Sequence, residues 1–415
     1  MKKKAFKLTA TTLWENPEPV LNSGKLGLLC NQTAWHTETG EYLFETLYRR
    51  GVLKRIFMPE HGLFGELQDQ VKLEGFELYG EFGFKDCEFV SLYGPRESSL
   101  SVAPEKLMDL DALIIDLQDV GVRYYTYLST LRNLFITLNS ENIPLPVWVI
   151  DRENPAGSWV EGSPLQEAYA SFIGIEGLPH RHGLTIGEMS CYFHDELSAD
   201  FPLYVLSKDA ASCTVSARFP WLIPPSPNFP GYFTSGFYSG QCLWEGTNVS
   251  EGRGTTRPFE VFGAPWMETL INFNKAYSYD GWNDSRHPLF DPGTALRWQL
   301  FIPTFHKYRE ECCFGFQLIR RNDKAYHALL HGLKQIRFVK THCEGFAFRP
   351  GKYEAGNKKT AIELLVGDPL ILNYLNGEGA ELEDIIDYFR KTEESWIRKV
   401  KGFLLYGQAL KSVKV

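Results

Sequence analysis

The chain lacks any run of about 18 consecutive apolar residues, so no membrane-spanning helix is expected. It also lacks an excess of positive charge. Forty-three Lys and Arg against 51 Asp and Glu leave a net charge of −8, which gives no overall electrostatic reason to bind nucleic acid or an anionic membrane. No CxxC spacing occurs among the cysteines Cys30, Cys87, Cys191, Cys213, Cys242, Cys312, Cys313 and Cys343. The adjacent pair Cys312–Cys313 is poor geometry for one zinc, so buried reduced thiols are the expectation. No GxxxxGK[ST] phosphate loop, HExxH helix or GxSxG elbow is present. The pairs Gly252/Gly254 and Gly377/Gly379 lack the later glycine of a dinucleotide fingerprint. No internal repeat or low-complexity tract is evident. The opening MKKKAFKLTATTLWENPEP has a basic tip, but Lys7 and several Thr interrupt any apolar core. It reads as non-secretory, or as a processed start.

What is present is an ordinary globular composition, 44% hydrophobic and 23% charged, in 415 residues, more than one core usually spans. Two domains are therefore expected, divided near 200/201. Short apolar runs at 26–31, 55–59, 89–93, 112–117 and 147–151 read as buried parallel strands. Helical patterns lie between them, as at 41–50 and 127–139, the latter with Leu128, Leu131, Leu134, Phe135 and Leu138 on one face. This alternation predicts an α/β fold, a Rossmann-like, doubly wound and mostly parallel sheet. The second half is less regular. A strand at 315–319 and an amphipathic helix around 380–406 suggest a smaller α/β domain.

Sheets of this kind bind ligands at the carboxyl ends of their strands. Four candidate strands end in polar clusters. These are Asn31-Gln32-Thr33, Glu60-His61-Gly62, Asp116-Leu117-Gln118-Asp119 with Arg123 behind it, and Asp151-Arg152-Glu153-Asn154. Glu60 suits a general acid raised by partial burial, or a turn carboxylate. Asp116 and Asp119 suit water positioning, hydroxyl binding or a metal; they suit equally a cap at Asp119 and a pair between Asp116 and Arg123. Asp151 and Asn154 suit hydroxyl recognition or an Asx turn before Pro155. His180 and His182 have no third ligand at a recognisable spacing, so hydrogen-bonding histidines are favoured over a metal site. Asn228, held between prolines, suits a ligand contact or a turn.

The densest polar stretch is 243–266. It carries Glu245, Thr247, Asn248, Ser250, Glu251, Arg253 and Arg257, interleaved with Gly246, Gly252 and Gly254. No apolar period runs through it. Two carboxylates and two guanidiniums suit an acid/base site for a hydroxylated anion, or a salt-bridged loop.

Taken in order, Pro59–Gly62, Ile115–Tyr127, Asp151–Pro155, His182–Glu188, Pro224–Asn228 and Glu245–Thr256 resemble the exo-β-N-acetylmuramidase family of NamZ- and YbbC-like proteins, over roughly residues 20–410. The resemblance implies a Rossmann-like domain, a smaller C-terminal domain and an active site in the cleft between them. It implies release of N-acetylmuramic acid from the non-reducing end of peptidoglycan fragments by hydrolysis of a β-1,4 bond, with no cofactor and no metal. The substrate partner is a small sugar. It maps the catalytic acid onto Glu60. A second carboxylate, from Asp116, Asp119, Glu245 or Glu251, would be base or nucleophile, or the sugar's own acetamido group would attack. Arg253 or Arg257 would meet the lactyl carboxylate. His61, Gln118, Arg123, Asp151, Asn154, His182, Asn228, Thr247 and Asn248 complete the expected substrate-binding set. Departures are Phe64-Gly65-Glu66 after the EHG, Arg181 before His182, and Phe229. The competing readings are a metal-dependent hydrolase or esterase using Asp116, Asp119, His180 and His182, and a non-catalytic sugar-binding module.

Overall fold

A computed structural model of the chain describes residues 7–9, 24–36, 39–68, 79, 83–94, 97–206, 223–271, 281–283, 285, 287–321, 326–353 and 357–413. Cys213 and most of the first 23 residues lie outside the described residues.

The first unit is built on a seven-stranded parallel sheet. Its strands are β1 (Lys7–Thr9), β2 (Leu26–Cys30), β3 (Leu53–Met58), β4 (Glu88–Ser91), β5 (Ala112–Asp116), β6 (Val147–Ile150) and β7 (Leu203–Leu206), in the order β1-β7-β6-β5-β2-β3-β4. The six strands from β2 onward thus follow the Rossmann order, with β1 added at one edge. Because β7 belongs to this sheet, the first unit reaches past the division expected at 200/201.

These segments form central strands because they are apolar on both sides. All five residues of β2 and of β5 are buried, as are all four of β6. Alternate residues enter different cores. Leu29, Leu113, Ile115, Val147 and Val149 face one, together with α2 (Tyr127–Ser140) and α3 (Ile186–Glu196). Leu28, Cys30, Ile114, Trp148 and Ile150 face the other, with α1 (Leu43–Arg49). Covering both faces is what a parallel sheet requires.

The second unit carries a three-stranded antiparallel sheet, β8 (Val261–Ala264), β9 (Thr294–Phe301) and β10 (Cys313–Arg320), in the order β8-β10-β9. Around it lie α4 (Ser235–Gln241), α5 (Ala328–His342), α6 (Ala361–Val366), α7 (Pro369–Asn376) and α8 (Leu382–Val400). Helix α8 is shorter than the expected 380–406 and buries Ile385, Phe389, Trp396 and Val400 at helical spacing.

The two units share one core. Trp244, Phe262, Phe316 and Leu333 pack in the same cluster as the α2 face of the parallel sheet. The last described strand also returns to the first unit, since Lys411–Ser412 pairs in parallel with Trp159–Val160. A fully buried network ties the seam. Glu161 accepts from Arg181 at 2.6 Å, from Ser239 at 2.7 Å and from the Leu329 N–H at 3.0 Å. Among the described residues no helix is long and apolar enough to cross a membrane, and the seven described cysteines are free thiols.

Candidate active site

From β2 the chain steps outward to β3 and β4, then returns to β5 on the other side and steps away to β6 and β7. The carboxyl ends of β2 and β5 are therefore a topological switch point, where such a sheet leaves a crevice. Three strand ends meet there. The Asn31 amide donates to the Tyr127 hydroxyl at 2.7 Å, and that hydroxyl donates to the Pro225 carbonyl at 2.8 Å. Gln32 donates to the Pro224 carbonyl at 2.9 Å. Asn228 donates to Gln68 at 2.5 Å, so the proline-rich segment is docked across the ends of β2 and β3. The stiffness of that segment, which fixes φ at each proline, makes it a rigid wall.

Glu60 follows β3 and is buried. The Thr126 hydroxyl donates to its Oε2 at 2.8 Å. The next residue, His61, has φ +77°, a left-handed conformation unusual for a residue with a side chain. It is held there by Leu67, whose N–H donates to the His61 carbonyl at 3.2 Å and whose carbonyl accepts from Nδ1 at 3.0 Å.

Asp119, after β5, is 5% exposed. Its Oδ2 accepts from the Gly121 N–H at 2.7 Å, and His182 Nε2 lies 3.3 Å from the same oxygen without the alignment of a hydrogen bond. Gly121 has φ +80°, and a Cβ there would fall 2.1 Å from Asn154 Oδ1, so only glycine makes this turn. Asp119 Oδ1 and His182 Nε2 are buried without a hydrogen-bond partner. Burial drives the phenols of Tyr125 and Tyr127 up, and the nearby Asp119 and Glu60 carboxylates push them further the same way. Both acids therefore stand at one cluster of tyrosines.

Other expected site residues are committed elsewhere. Asp116 does not pair with Arg123. Its Oδ1 accepts from Arg152 Nη2 at 2.6 Å and Nε at 2.8 Å, and burial raises its carboxyl against the pull of Arg152. Arg123 is fully buried and donates to the carbonyls of Ser163, Leu178, Leu365 and Val366 at 2.8–3.1 Å. It is a staple between the two units. Nor does Asp119 cap a helix, since α2 begins after Thr126. Asp151 accepts from Arg152 N, Gly187 N, Thr185 Oγ1 and Tyr406 Oη at 2.5–2.9 Å, and burial raises its carboxyl to about 6. Asn154 makes the Asx turn, accepting from the Ala156 N–H at 2.9 Å. Gln118 donates to the carbonyls of Asp119 and Glu153 at 2.8 and 2.9 Å.

The loop after Leu243 is a neutralised cluster. Arg253 donates to Glu245 at 2.7 Å, and Tyr353 donates to the other Glu245 oxygen at 2.5 Å. Glu251 is wholly buried, with Lys307 at 2.8 Å, His306 at 3.0 Å and Arg253 at 3.4 Å. Burial would raise its carboxyl; Lys307, His306 and Arg253 outweigh that and hold it far below the usual range. Lys307 also donates to the carbonyls of Trp244 and Val249 at 2.8 and 2.9 Å. Thr247 bonds within its own turn, and Asn248 clamps residues 345–347. Arg257 is a surface side chain on Glu260.

His180 and His182 do not form a metal pair. His180 Nε2 accepts from Arg123 at 3.0 Å, and burial holds this imidazole well below its usual range, with Arg123 adding to the effect. Among the described residues no group of three His, Cys, Asp or Glu is arranged to hold a metal. Sequence reasoning passed over Thr126, Tyr125 and Lys307. The first two lie inside the 115–127 motif, whereas Lys307 had no local signal.

The model of the N-terminal domain of the exo-beta-N-acetylmuramidase NamZ matches residues 26–232, and that of its C-terminal domain matches 236–406. A Bacillus subtilis (strain 168) protein named peptidoglycan beta-N-acetylmuramidase NamZ is 32% identical over 419 residues, covering 98% of this chain and 92% of that protein. Two crystal structures of DUF1343 family proteins from Bacteroides fragilis NCTC 9343 share the fold. One, at 23% identity, covers 93% of this chain and 95% of its own with a TM-score of 0.69; the other, at 24%, covers 94% and 95% with 0.64. The chain belongs to the exo-β-N-acetylmuramidase NamZ family.

Proposed function

We propose that the protein is a glycosidase releasing N-acetylmuramic acid from the non-reducing end of peptidoglycan fragments, by hydrolysis of a β-1,4 bond, in cell-wall turnover or recycling. The observation that carries this, within a chain of that family, is Glu60. It is a buried carboxyl at the carboxyl end of β3, held on Oε2 by the Thr126 hydroxyl. Glycoside cleavage needs a proton at the leaving oxygen. A hydrogen bond donated to a carboxyl oxygen fixes the orientation of the group, as proton delivery to one leaving oxygen requires.

The substrate-binding set narrows on geometric grounds. His61, His182 and Asn228 line the strand ends, whereas the Gln118 amide is spent on the Asp119 and Glu153 carbonyls. Arg123, Asp151, Asn154, Thr247 and Asn248 are spent on internal bonds. Arg253 is balanced by Glu245 and Glu251, so the lactyl carboxylate falls to Arg152. Its side chain is 27% exposed at the end of β6 and anchored on Asp116 and the Thr33 carbonyl. A guanidinium can take a further carboxylate on a second edge.

The test is chromophore release from para-nitrophenyl β-N-acetylmuramide beside the N-acetylglucosaminide, with and without chelator. The expected result is cleavage of the muramide only, indifferent to chelator. Folded protein that cleaves neither compound sinks the proposal.

A further inference from the structure

We infer that Asp119, with His182 beside it, holds and deprotonates the water that attacks the anomeric carbon, so that hydrolysis proceeds with inversion. The inference rests on the glycosidase reading and names its second catalytic group.

The other acidic side chains of the expected set are already engaged. Asp116 is paired to Arg152. Asp151 accepts four hydrogen bonds. Glu245 is shared between Arg253 and Tyr353. Glu251 faces Lys307, His306 and Arg253. Each of these carboxylates is already balanced by cations or by donors on both oxygens; Glu251 Oε1 also lacks a hydrogen bond, but it lies 3.0 Å from His306 and 3.4 Å from Arg253. Asp119 is not so balanced. Its Oδ2 takes the Gly121 N–H, while Oδ1 is buried with no donor. Buried polar atoms are almost always satisfied, so a missing partner in a crevice points to one brought by a ligand or by water.

The neighbouring histidine supplies a donor. The Leu184 N–H donates to His182 Nδ1 at 3.2 Å, so in the neutral ring the proton sits on Nε2. His182 Nε2 also has no hydrogen-bond partner, although it lies 3.3 Å from Asp119 Oδ2. An acceptor and a donor therefore stand side by side. That pair matches a group that both donates and accepts, which a water molecule does. A nucleophilic carboxylate attacking carbon has no use for the donor. The frame is rigid. The His182 carbonyl accepts from Trp396 of α8 at 2.9 Å, and its N–H donates to the Gly121 carbonyl at 3.3 Å.

The water oxygen bonds to the anomeric carbon as one of its protons passes to Asp119. The bond from that carbon to the leaving oxygen breaks, and the leaving oxygen takes the proton of Glu60. Afterwards Asp119 returns its proton, and Glu60 regains one, by exchange with solvent. A β-linked sugar attacked from the opposite face leaves as the α anomer.

The experiment follows the anomeric proton by NMR during the first turnovers of wild-type enzyme on para-nitrophenyl β-N-acetylmuramide, then repeats the assay on Asp119→Asn and Asp119→Ala. The expected first product is the α anomer. Turnover of both variants should fall by about 10²–10⁴-fold, the usual worth of a general base. Sodium azide should restore turnover of Asp119→Ala and give the α-glycosyl azide. A β anomer formed first overturns the assignment, as does an Asp119→Asn enzyme within about threefold of wild type. If the variants do not fold, the wild-type stereochemistry still decides. Wild-type protein that cleaves no muramide fails the activity itself, whereas cleavage with retention fails only Asp119.

Discussion

The strand ends at the switch point and the glycine-rich loop at 245–257 hold similar residues and resolve them in opposite ways. In the loop, Glu245 and Glu251 face Arg253 and Lys307, two negative charges against two positive; Tyr353 takes the second Glu245 oxygen, and Glu251 Oε1, although without a hydrogen bond, lies 3.0 Å from His306 and 3.4 Å from Arg253. At the strand ends Asp119 Oδ1 and His182 Nε2 are left without partners. The loop is richer in charge, yet it is the quieter region. Density of ionisable residues does not mark a site as well as polar valence that the protein itself leaves open.

The largest effect is expected at Glu60. Glu60→Gln should lower turnover of glycan fragments by about 10³-fold while the thermal midpoint stays put, because a general acid is lost and the Thr126 hydrogen bond survives. The loss should be smaller on the para-nitrophenyl glycoside, whose leaving group needs little protonation. Equal losses on both substrates would argue against the acid role. The converse change is Lys307→Met in the loop. It strands Glu251 in a buried setting and should cost about 3–5 kcal/mol in urea unfolding. A fully stable variant with dead chemistry would instead make the loop catalytic.

A third measurement addresses pH. Burial holds His331 down at about 3, where its Nε2 donates to the Leu289 carbonyl, and it holds His180 well below its usual range. In the unfolded chain each takes a proton near pH 6.5 that the fold refuses, so stability should be lost as pH falls below that value. The slope is about 1.4 kcal/mol per pH unit for each group, read from urea midpoints between pH 7 and 5. His331→Gln should flatten it. The smallest effect is expected at Arg257, an exposed side chain on Glu260. Arg257→Ala should change stability by less than about 0.5 kcal/mol and leave the KM for the muramide unaltered. A raised KM there would return the lactyl contact to the loop.

Much of the architecture was legible in the residues. The runs at 26–31, 112–117 and 147–151 became β2, β5 and β6 to within a residue or two, because a strand buried on both faces must be apolar throughout. The amphipathic stretch at 127–139 became α2 for the matching reason of helical period. Within the second unit, Cys313–Arg320 extends the expected strand by a few residues at most. The site was legible as a set of strand ends but not as a set of roles. Asp116 and Asp119 stand three apart with the same chemistry, yet one is held by Arg152 and the other by a single backbone N–H.

The sequence alone therefore determined the layers, the strand ends that gather at the switch point, and the family. Those follow from period, polarity and motif order, all written locally along the chain. Only the tertiary structure decided which polar groups cancel one another. Lys307 reaches Glu251 across 56 positions, and Arg123 reaches Val366 across 243. Hydrogen bonds and ion pairs act over about 3 Å of space whatever the distance along the chain. The balance of charge that separates a staple from a site is set by folding.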